Sequence, residues 1–522
     1  METKKPYYIT TTAPYVNAKA HIGFALEIIQ ADAVARYKRL QGHTVYFNFG
    51  TDEHGQKIYD KAKEAGTDPQ SYTDEYAAKF DGLKKALNLS YDKLARTTDP
   101  HHSKAAQEMW RLCTKNGYIE KGVYKAKYCV GCELEKQDSD LEDGKCPLHP
   151  TYKLQLIEEE NYFFKFSNLQ DKLLKLYRDN PEFVIPQHRQ KEIENFVTSG
   201  LQDFSISRLK EKMPWGVPVP DDDKHVMYVW FDALTYYISA LDWPEDDESF
   251  AKFWGTLDAP NAIQVAGKDN LRQQASMWQA MLLAANLPTS KQIMIHGFLT
   301  SNGQKMSKSI GNVIDPIEYV EKYGVDALRY YLLAKVSPFE DSDFTRESFE
   351  QVYQADLANG LGNLVSRVVG MVEKYFGGEI PKPPKDPENH PLRLGKSIYT
   401  WKDSWNDIDK SIESYDFNKA LESIWKFIST ADKYIDDTKP WELAKQENKE
   451  ELAWVLYGLC DAIHQLAWQL NCFLPDTSKK IAEAFNIEKL LTDNPNYKDG
   501  WTNIKSGTLV KLPKPLSPRL EK

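Results

Sequence analysis

Runs of β-branched and aromatic residues alternate with helical stretches as far as Leu299, and the alternation breaks once, from about residue 117 to 225. Tyr7-Tyr8-Ile9-Thr10-Thr11-Thr12 and Val45-Tyr46-Phe47-Asn48-Phe49 read as strands. The first leads into a helical stretch ending at about Leu40, with apolar residues at Ile28, Ala31, Val34 and Ala35. Helices are expected at about 56–66, 70–87 and 101–116. The strand pattern resumes at Val226–Asp232, followed by a helix over Ala233–Leu241 and a strand at Ala262–Ala266. A helix through Trp278 and Leu283 then precedes a buried strand at Ile293–Leu299. This order predicts an α/β fold with a doubly wound, Rossmann-like parallel sheet split by an insert. Beyond about residue 335 the pattern is wholly helical, with helices near 391–413, 417–435, 440–445 and 449–472. The expected domains are therefore 1–116 and 226–335 as two halves of one α/β domain, 117–225 as a connective insert, and 336–506 as a helical bundle. Residues 507–522, with prolines at 513, 515 and 518, form an extended tail.

Parallel sheets of this kind bind ligands at the carboxyl ends of their strands, and the chemistry-bearing residues fall there. His21-Ile22-Gly23 opens the first helix, where free backbone N–H groups attract anions. Gly23 lets a ligand approach the backbone, and the His21 imidazole can hydrogen-bond a phosphate. Asp52 and Glu53 follow the second strand, where a carboxylate can hold a cationic amino group. Trp230 is expected at a strand end as one wall of an apolar pocket, with Tyr236 and Tyr237 just beyond. Lys305-Met306-Ser307-Lys308-Ser309 follows a strand and the Ser301-Asn302-Gly303 turn. Such a loop can close over a polyphosphate and neutralise charge that develops at phosphorus.

In the insert, Cys129-x-x-Cys132 and Cys146-x-x-His149 give two pairs of soft ligands separated by a short polar loop. That set suits one tetrahedral, structural Zn2+, because four protein ligands leave no open position. Cysteine usage otherwise fits a reducing cytoplasm rather than a disulfide framework. In the bundle, Asn363 and Arg367 are four residues apart and share one helix face, and Pro440-Trp441 puts an aromatic at a helix start. An exposed Trp beside an Arg suits stacking on unpaired bases, although bundle packing accounts for these residues equally well. The net charge is -10 and the pI near 5.7, so nucleic acid must be bound through local patches. No apolar stretch is long enough to cross a bilayer and no signal peptide is evident, so no membrane partner is expected.

In this order the motifs closely resemble those of the methionyl-tRNA synthetases, a family of class I aminoacyl-tRNA synthetases. The likeness rests on Ala13-Pro14-Tyr15, His21-Ile22-Gly23, Gly50-Thr51-Asp52-Glu53-His54-Gly55, the Cys/His knuckle, Tyr228-Val229-Trp230-Phe231-Asp232, Gly267-Lys268-Asp269, the lysine loop, and Asn363–Arg367 with Pro440-Trp441. The resemblance implies activation of L-methionine with ATP and transfer to the 3′ end of tRNA(Met), with Mg2+ accompanying the nucleotide. It implies a methionine site at Thr12, Ala13, Tyr15, Asp52, Trp230, Ala233, Tyr237 and Gln274. His21, Gly23, Gly267, Asp269 and Lys308 would contact ATP, and Lys305 and Lys308 would stabilise the pyrophosphate side of the transition state. Asn363, Arg367 and Trp441 would read the CAU anticodon.

Two positions depart from the family pattern. Phe24 stands where a second histidine is usual, so another donor or the two loop lysines must serve the phosphates. Gln273-Gln274 replaces an aromatic and a histidine, which leaves Gln274 as the polar partner of the methionine thioether. The chain ends soon after Pro518-Arg519, with no room for a further C-terminal domain, so a monomer is expected. The alternatives are a class I synthetase for another apolar amino acid, against which the short insert speaks, and an RNA-binding module without catalysis, motivated by Phe24.

Overall fold

The computed structural model describes residues 5–17, 20–136, 140–306, 311–386, 389–394, 398–487, 504–511 and 515–520. Its centre is a six-stranded sheet. The strands are β1 (Pro6–Thr11), β2 (Thr44–Thr51), β3 (Lys93–Arg96), β4 (Val184–Ile185), β5 (Ala262–Gly267) and β6 (Gln292–His296). They lie in the order β3-β2-β1-β5-β6-β4, and every pairing is parallel. β1, β5 and β6 are almost wholly buried, as strands covered by helices on both faces must be. The doubly wound α/β fold is thus present.

Several local readings need correction. The expected strand Val226–Asp232 ends at Met227 and belongs to a small antiparallel sheet, not the central one. Val229–Leu234 is helical, because a short apolar run does not by itself distinguish strand from buried helix. The Ile293–Leu299 run is broken after His296, and Leu299–Ser301 joins a second sheet. Gly297 sits at that break, where an added Cβ would lie 2.3 Å from the Glu340 backbone. The region after 335 is not wholly helical, since Ser342–Phe344 pairs with Leu299–Ser301. The expected helix 70–87 is interrupted at Gly82. The one expected at 391–413 comprises Pro391–Leu394 and Trp401–Glu413, the latter opened by a Thr400/Asp403 capping box. Within the insert, Val184–Ile185 lends the central sheet its edge strand.

Helix α1 (Ile22–Leu40) ties the sheet to the helical bundle. Its Asp32 accepts from Arg329 Nη2 at 2.7 Å in a fully buried pair, and Arg329 Nε donates to the Phe473 carbonyl at 2.7 Å. Burial opposes charge on Asp32, but Arg36 and Arg329 outweigh it and hold its pKa at about 2. Removing either partner of such a pair costs about 3–5 kcal/mol. The described tail residues run extended over the bundle, where Tyr353 donates to the Pro518 carbonyl at 2.7 Å and Val510 N–H to the Gly378 carbonyl at 2.8 Å.

Candidate active site

The strand order reverses between β1 and β5, which opens a crevice at their carboxyl ends. Thr12, Asp52, Gly267 and His296 stand at or just past the ends of β1, β2, β5 and β6.

On one side of the crevice His21 caps α1. Its Nδ1 accepts from the Gly23 and Phe24 amides at 3.1 and 3.4 Å, which leaves Nε2 as the ring's donor in the neutral form. The helix N-terminus adds its positive dipole. A Cβ at Gly23 would lie 3.0 Å from the His21 ring and 4.0 Å from Met306 Cε. The Ile22 amide donates to the Ile314 carbonyl at 3.0 Å. Met306, within the lysine loop, and Ile314, beyond it, therefore both meet the first turn of α1. Lys305 ends the hairpin strand Gln304–Lys305, behind the left-handed turn at Asn302 and Gly303. Lys305 Nζ and Lys268 Nζ lie 5.5 and 4.5 Å from the Phe298 ring centroid, so two ammonium groups converge on this rim. Asp269 is exposed there beside Gly267, where an added Cβ would lie 2.8 Å from its Oδ1. Lys308, with Ser307 and Ser309, lies outside the described residues. Phe24 turns inward and packs on Phe49 and Phe80 at centroid distances of 5.4 and 5.5 Å, so it is a core residue.

On the other side the backbone of residues 14–16 bridges to Asp52. The Asp52 amide donates to Pro14 at 3.0 Å, and the Val16 amide donates to Asp52 at 3.2 Å. Asp52 is 3% exposed, and its Oδ1 has no partner among the described residues; nor do the Tyr15 hydroxyl and Trp230 Nε1. Burial raises the Asp52 pKa well above the usual carboxylate value, and the charge of Asp232 adds to the shift. Buried orphan groups of this kind are costly unless a ligand satisfies them.

Helix α2 (Gln56–Glu64) starts just beyond Asp52, and helix α3 (Val229–Leu234) carries Trp230 and Ala233. Tyr237 is buried in the next turn, 4.3 Å from Tyr236 between ring centroids. Gln274 is buried, with its side-chain oxygen accepting from Gln264 Nε2 at 2.9 Å and its carbonyl accepting from Gln279. Ala13 is half-buried beside this region.

Some of the network was not singled out by sequence. Glu27 Oε1 accepts from the Thr12 amide and hydroxyl at 2.8 and 2.5 Å, and Glu27 Oε2 pairs with His296 Nε2 at 3.0 Å. His296 Nδ1 lies 2.8 Å from the Gly297 carbonyl. Burial disfavours the imidazolium, but the Glu27 bond and charge, the Gly297 carbonyl and Asp269 outweigh it, and the His296 pKa is raised. Asp232 is held between His54 Nδ1 at 2.6 Å and His102 Nε2 at 2.7 Å. Burial pushes its pKa up, yet the two rings hold it at about 2. An acid set among the apolar residues Phe24, Ala25, Leu26, Ile28 and Ile29, as at Glu27, was the available signal.

In the insert the ligand atoms of Cys129, Cys132, Cys146 and His149 all lie within 4.8 Å of one another. Cys132 Sγ is 3.4 Å from Cys146 Sγ and 3.2 Å from His149 Nδ1. Gly131 makes room for the imidazole, since a Cβ there would lie 2.5 Å from His149 Cγ. The cluster can hold a metal ion, and three thiols with one imidazole suit tetrahedral zinc.

In the bundle, Asn363 and Arg367 lie on α4 (Gly362–Phe376). Arg367 pairs with Asp432 at 3.2 Å and Asp436 at 2.8 Å on α5 (Phe417–Thr438). Trp441, just past the end of α5, is 37% exposed.

The family profile described as "tRNA synthetases class I (M)" matches residues 7–155 and 136–369. The chain belongs to the methionyl-tRNA synthetase family. A profile for the anticodon-binding domain of tRNA ligases matches residues 402–511. The methionine–tRNA ligase of Thermotoga maritima is 41% identical over 99% of this chain and 80% of its own length. That of Clostridium perfringens is 44% identical over 93% of this chain and 74% of its own. The Mycobacterium tuberculosis methionyl-tRNA synthetase in complex with methionyl-adenylate superposes with a TM-score of 0.90 at 35% identity, covering 99% of this chain and all (100%) of that one. Its apo form superposes at 0.85 and 32% identity, covering 100% and 99%. No helix among the described residues is long and apolar enough to cross a membrane.

Proposed function

We propose that this member of the family is a methionine–tRNA ligase that makes methionyl-adenylate from L-methionine and ATP and then esterifies the 3′ end of tRNA(Met). The observation that carries this reading is that the anion-attracting start of α1 and the buried Asp52, whose Oδ1 has no partner among the described residues, both lie at the carboxyl ends of the central strands. Asp52 receives the ammonium, and Tyr15, Trp230, Ala233 and Tyr237 enclose the side chain, with Thr12 and Ala13 at the pocket mouth. Gln274, whose amide oxygen accepts from Gln264, serves as the polar partner of the thioether. The methionine carboxylate attacks the α-phosphate, and pyrophosphate leaves. No side-chain nucleophile is required; placement and charge stabilisation suffice. His21 and the α1 amides bind phosphate, Gly23, Gly267 and Asp269 border the nucleotide, and Lys305 and Lys308 neutralise the departing pyrophosphate. Mg2+ accompanies the triphosphate. Zn2+ fills the Cys129, Cys132, Cys146 and His149 cluster as a structural ion. Asn363, Arg367 and Trp441 meet the anticodon, and the enzyme works as a cytoplasmic monomer.

Methionine-dependent ATP–pyrophosphate exchange, followed by aminoacylation of purified tRNA with a panel of amino acids, tests the assignment. Exchange and charging with methionine alone are expected. Preference for another amino acid, or tRNA binding without exchange, overturns it.

A further inference from the structure

Glu133 has backbone and contacts that the metal knuckle alone does not require. It follows Cys132 directly, is 2% exposed, and adopts a left-handed backbone with φ 52°. A non-glycine residue is strained in this region and persists only where its surroundings enforce it. The side chain leaves the knuckle and enters the body of the α/β domain. Its Oε1 accepts from the Lys57 amide at 2.8 Å, and the Tyr128 hydroxyl donates to Oε2.

Lys57 is in the first turn of α2, whose N-cap, Gly55, has no side chain with which to cap the helix. Glu133 supplies the missing cap from another part of the chain, and its charge complements the helix N-terminus. The fit is close, since a Cβ at Gly55 would lie 3.4 Å from Glu133 Oε1. Only two residues separate Gly55 from Asp52. The other wall is held as well. The Tyr228 hydroxyl donates to the Glu133 carbonyl, and Tyr228 is the N-cap of α3, which carries Trp230 and Ala233. Arg208 lies between the Tyr128 and Tyr228 rings, 5.0 Å from each centroid, and braces the pair.

We propose that Glu133 is a positioning residue for amino-acid binding, delivered by the metal knuckle to clamp the Asp52 loop on one side and the Trp230 helix on the other. This rests on the reading of the crevice as a methionine pocket. It gives the knuckle a role beyond local folding, because the residue that follows a ligand sets the geometry of the substrate site.

The test compares Glu133→Ala, Glu133→Gln and Tyr228→Phe with the native protein. It measures methionine Kd by equilibrium dialysis, ATP KM and kcat in exchange, and zinc per chain. Methionine Kd is expected to rise about tenfold in Glu133→Ala, as for loss of one charge-assisted hydrogen bond, with ATP KM and zinc content unchanged. Glu133→Gln recovers most of the affinity, because an amide oxygen still accepts from Lys57. Tyr228→Phe weakens methionine about threefold and carries the test if Glu133→Ala fails to fold. Native methionine Kd in both Glu133→Ala and Tyr228→Phe, equal loss of methionine and ATP use, or a Gln variant as weak as Ala overturns the proposal. Absence of methionine binding by the native protein instead overturns the reading of the pocket.

Discussion

Met306, at the entrance to the lysine loop, touches the space that a side chain at Gly23 would fill. A Cβ at Gly23 would lie 4.0 Å from Met306 Cε and 3.0 Å from the His21 ring. Residues far apart in sequence thus form one surface. Gly23→Ala is expected to push the His21 ring from its cap and crowd the loop. Adenylate formation should fall about 10²-fold, the scale of one preorganised donor, with methionine Kd unchanged. Dialysis and pyrophosphate exchange separate these effects. Lys308→Ala should give a comparable loss in exchange, about 10²–10³-fold, also without loss of methionine binding.

Asp52 yields a pH prediction. Its pKa is raised by burial and by Asp232, so the free protein keeps the proton above the ordinary value of 3.8. Ionising it therefore costs stability as pH climbs through that window, the reverse of the usual paired carboxylate. The methionine ammonium removes this cost. Methionine affinity should rise with pH across the window, and binding should release a proton. Calorimetry in buffers of different ionisation enthalpy measures the release, and Asp52→Asn should abolish it along with most of the affinity.

His296 works in the opposite sense. Its folded pKa is raised above 6.5. The protonated ring therefore contributes stability below that value, and the contribution disappears as pH rises through the folded pKa. His296→Gln should destabilise the protein most at about pH 6 and least at about pH 9. It should also slow adenylate formation, because the pair with Glu27 holds the strand end that leads to the lysine loop. Urea unfolding at several pH values tests the first part; a stability difference independent of pH counts against the ion pair.

The helix face at Asn363 and Arg367 gives a prediction remote from the chemistry. Trp441→Ala should lower kcat/KM for tRNA roughly 5- to 150-fold, the range for one lost base stack. Exchange and Tm should change little, because the ring is 37% exposed. A large fall in Tm would instead mark Trp441 as a packing residue.

The parallel sheet, the helix start at His21 and the four-ligand knuckle were legible because each has local spacing behind it. What escaped the sequence depends on distant partners. The segment at Trp230 reads equally as strand or helix until its packing is known. Phe24 reads in sequence as a lost phosphate ligand, yet it belongs to an aromatic cluster with Phe49 and Phe80. Glu27 and His296 are 269 positions apart, and no pattern along the chain announces their pairing. Glu133 is hidden by its neighbour, Cys132, whose spacing draws all the attention.

The most direct measurement is a crystal structure with methionine and a non-hydrolysable ATP analogue. His21 and the Lys305–Lys308 segment are expected on the same triphosphate, with the methionine ammonium at Asp52. A triphosphate bound by His21 with the lysine loop remote from it, in every copy, would contradict the account.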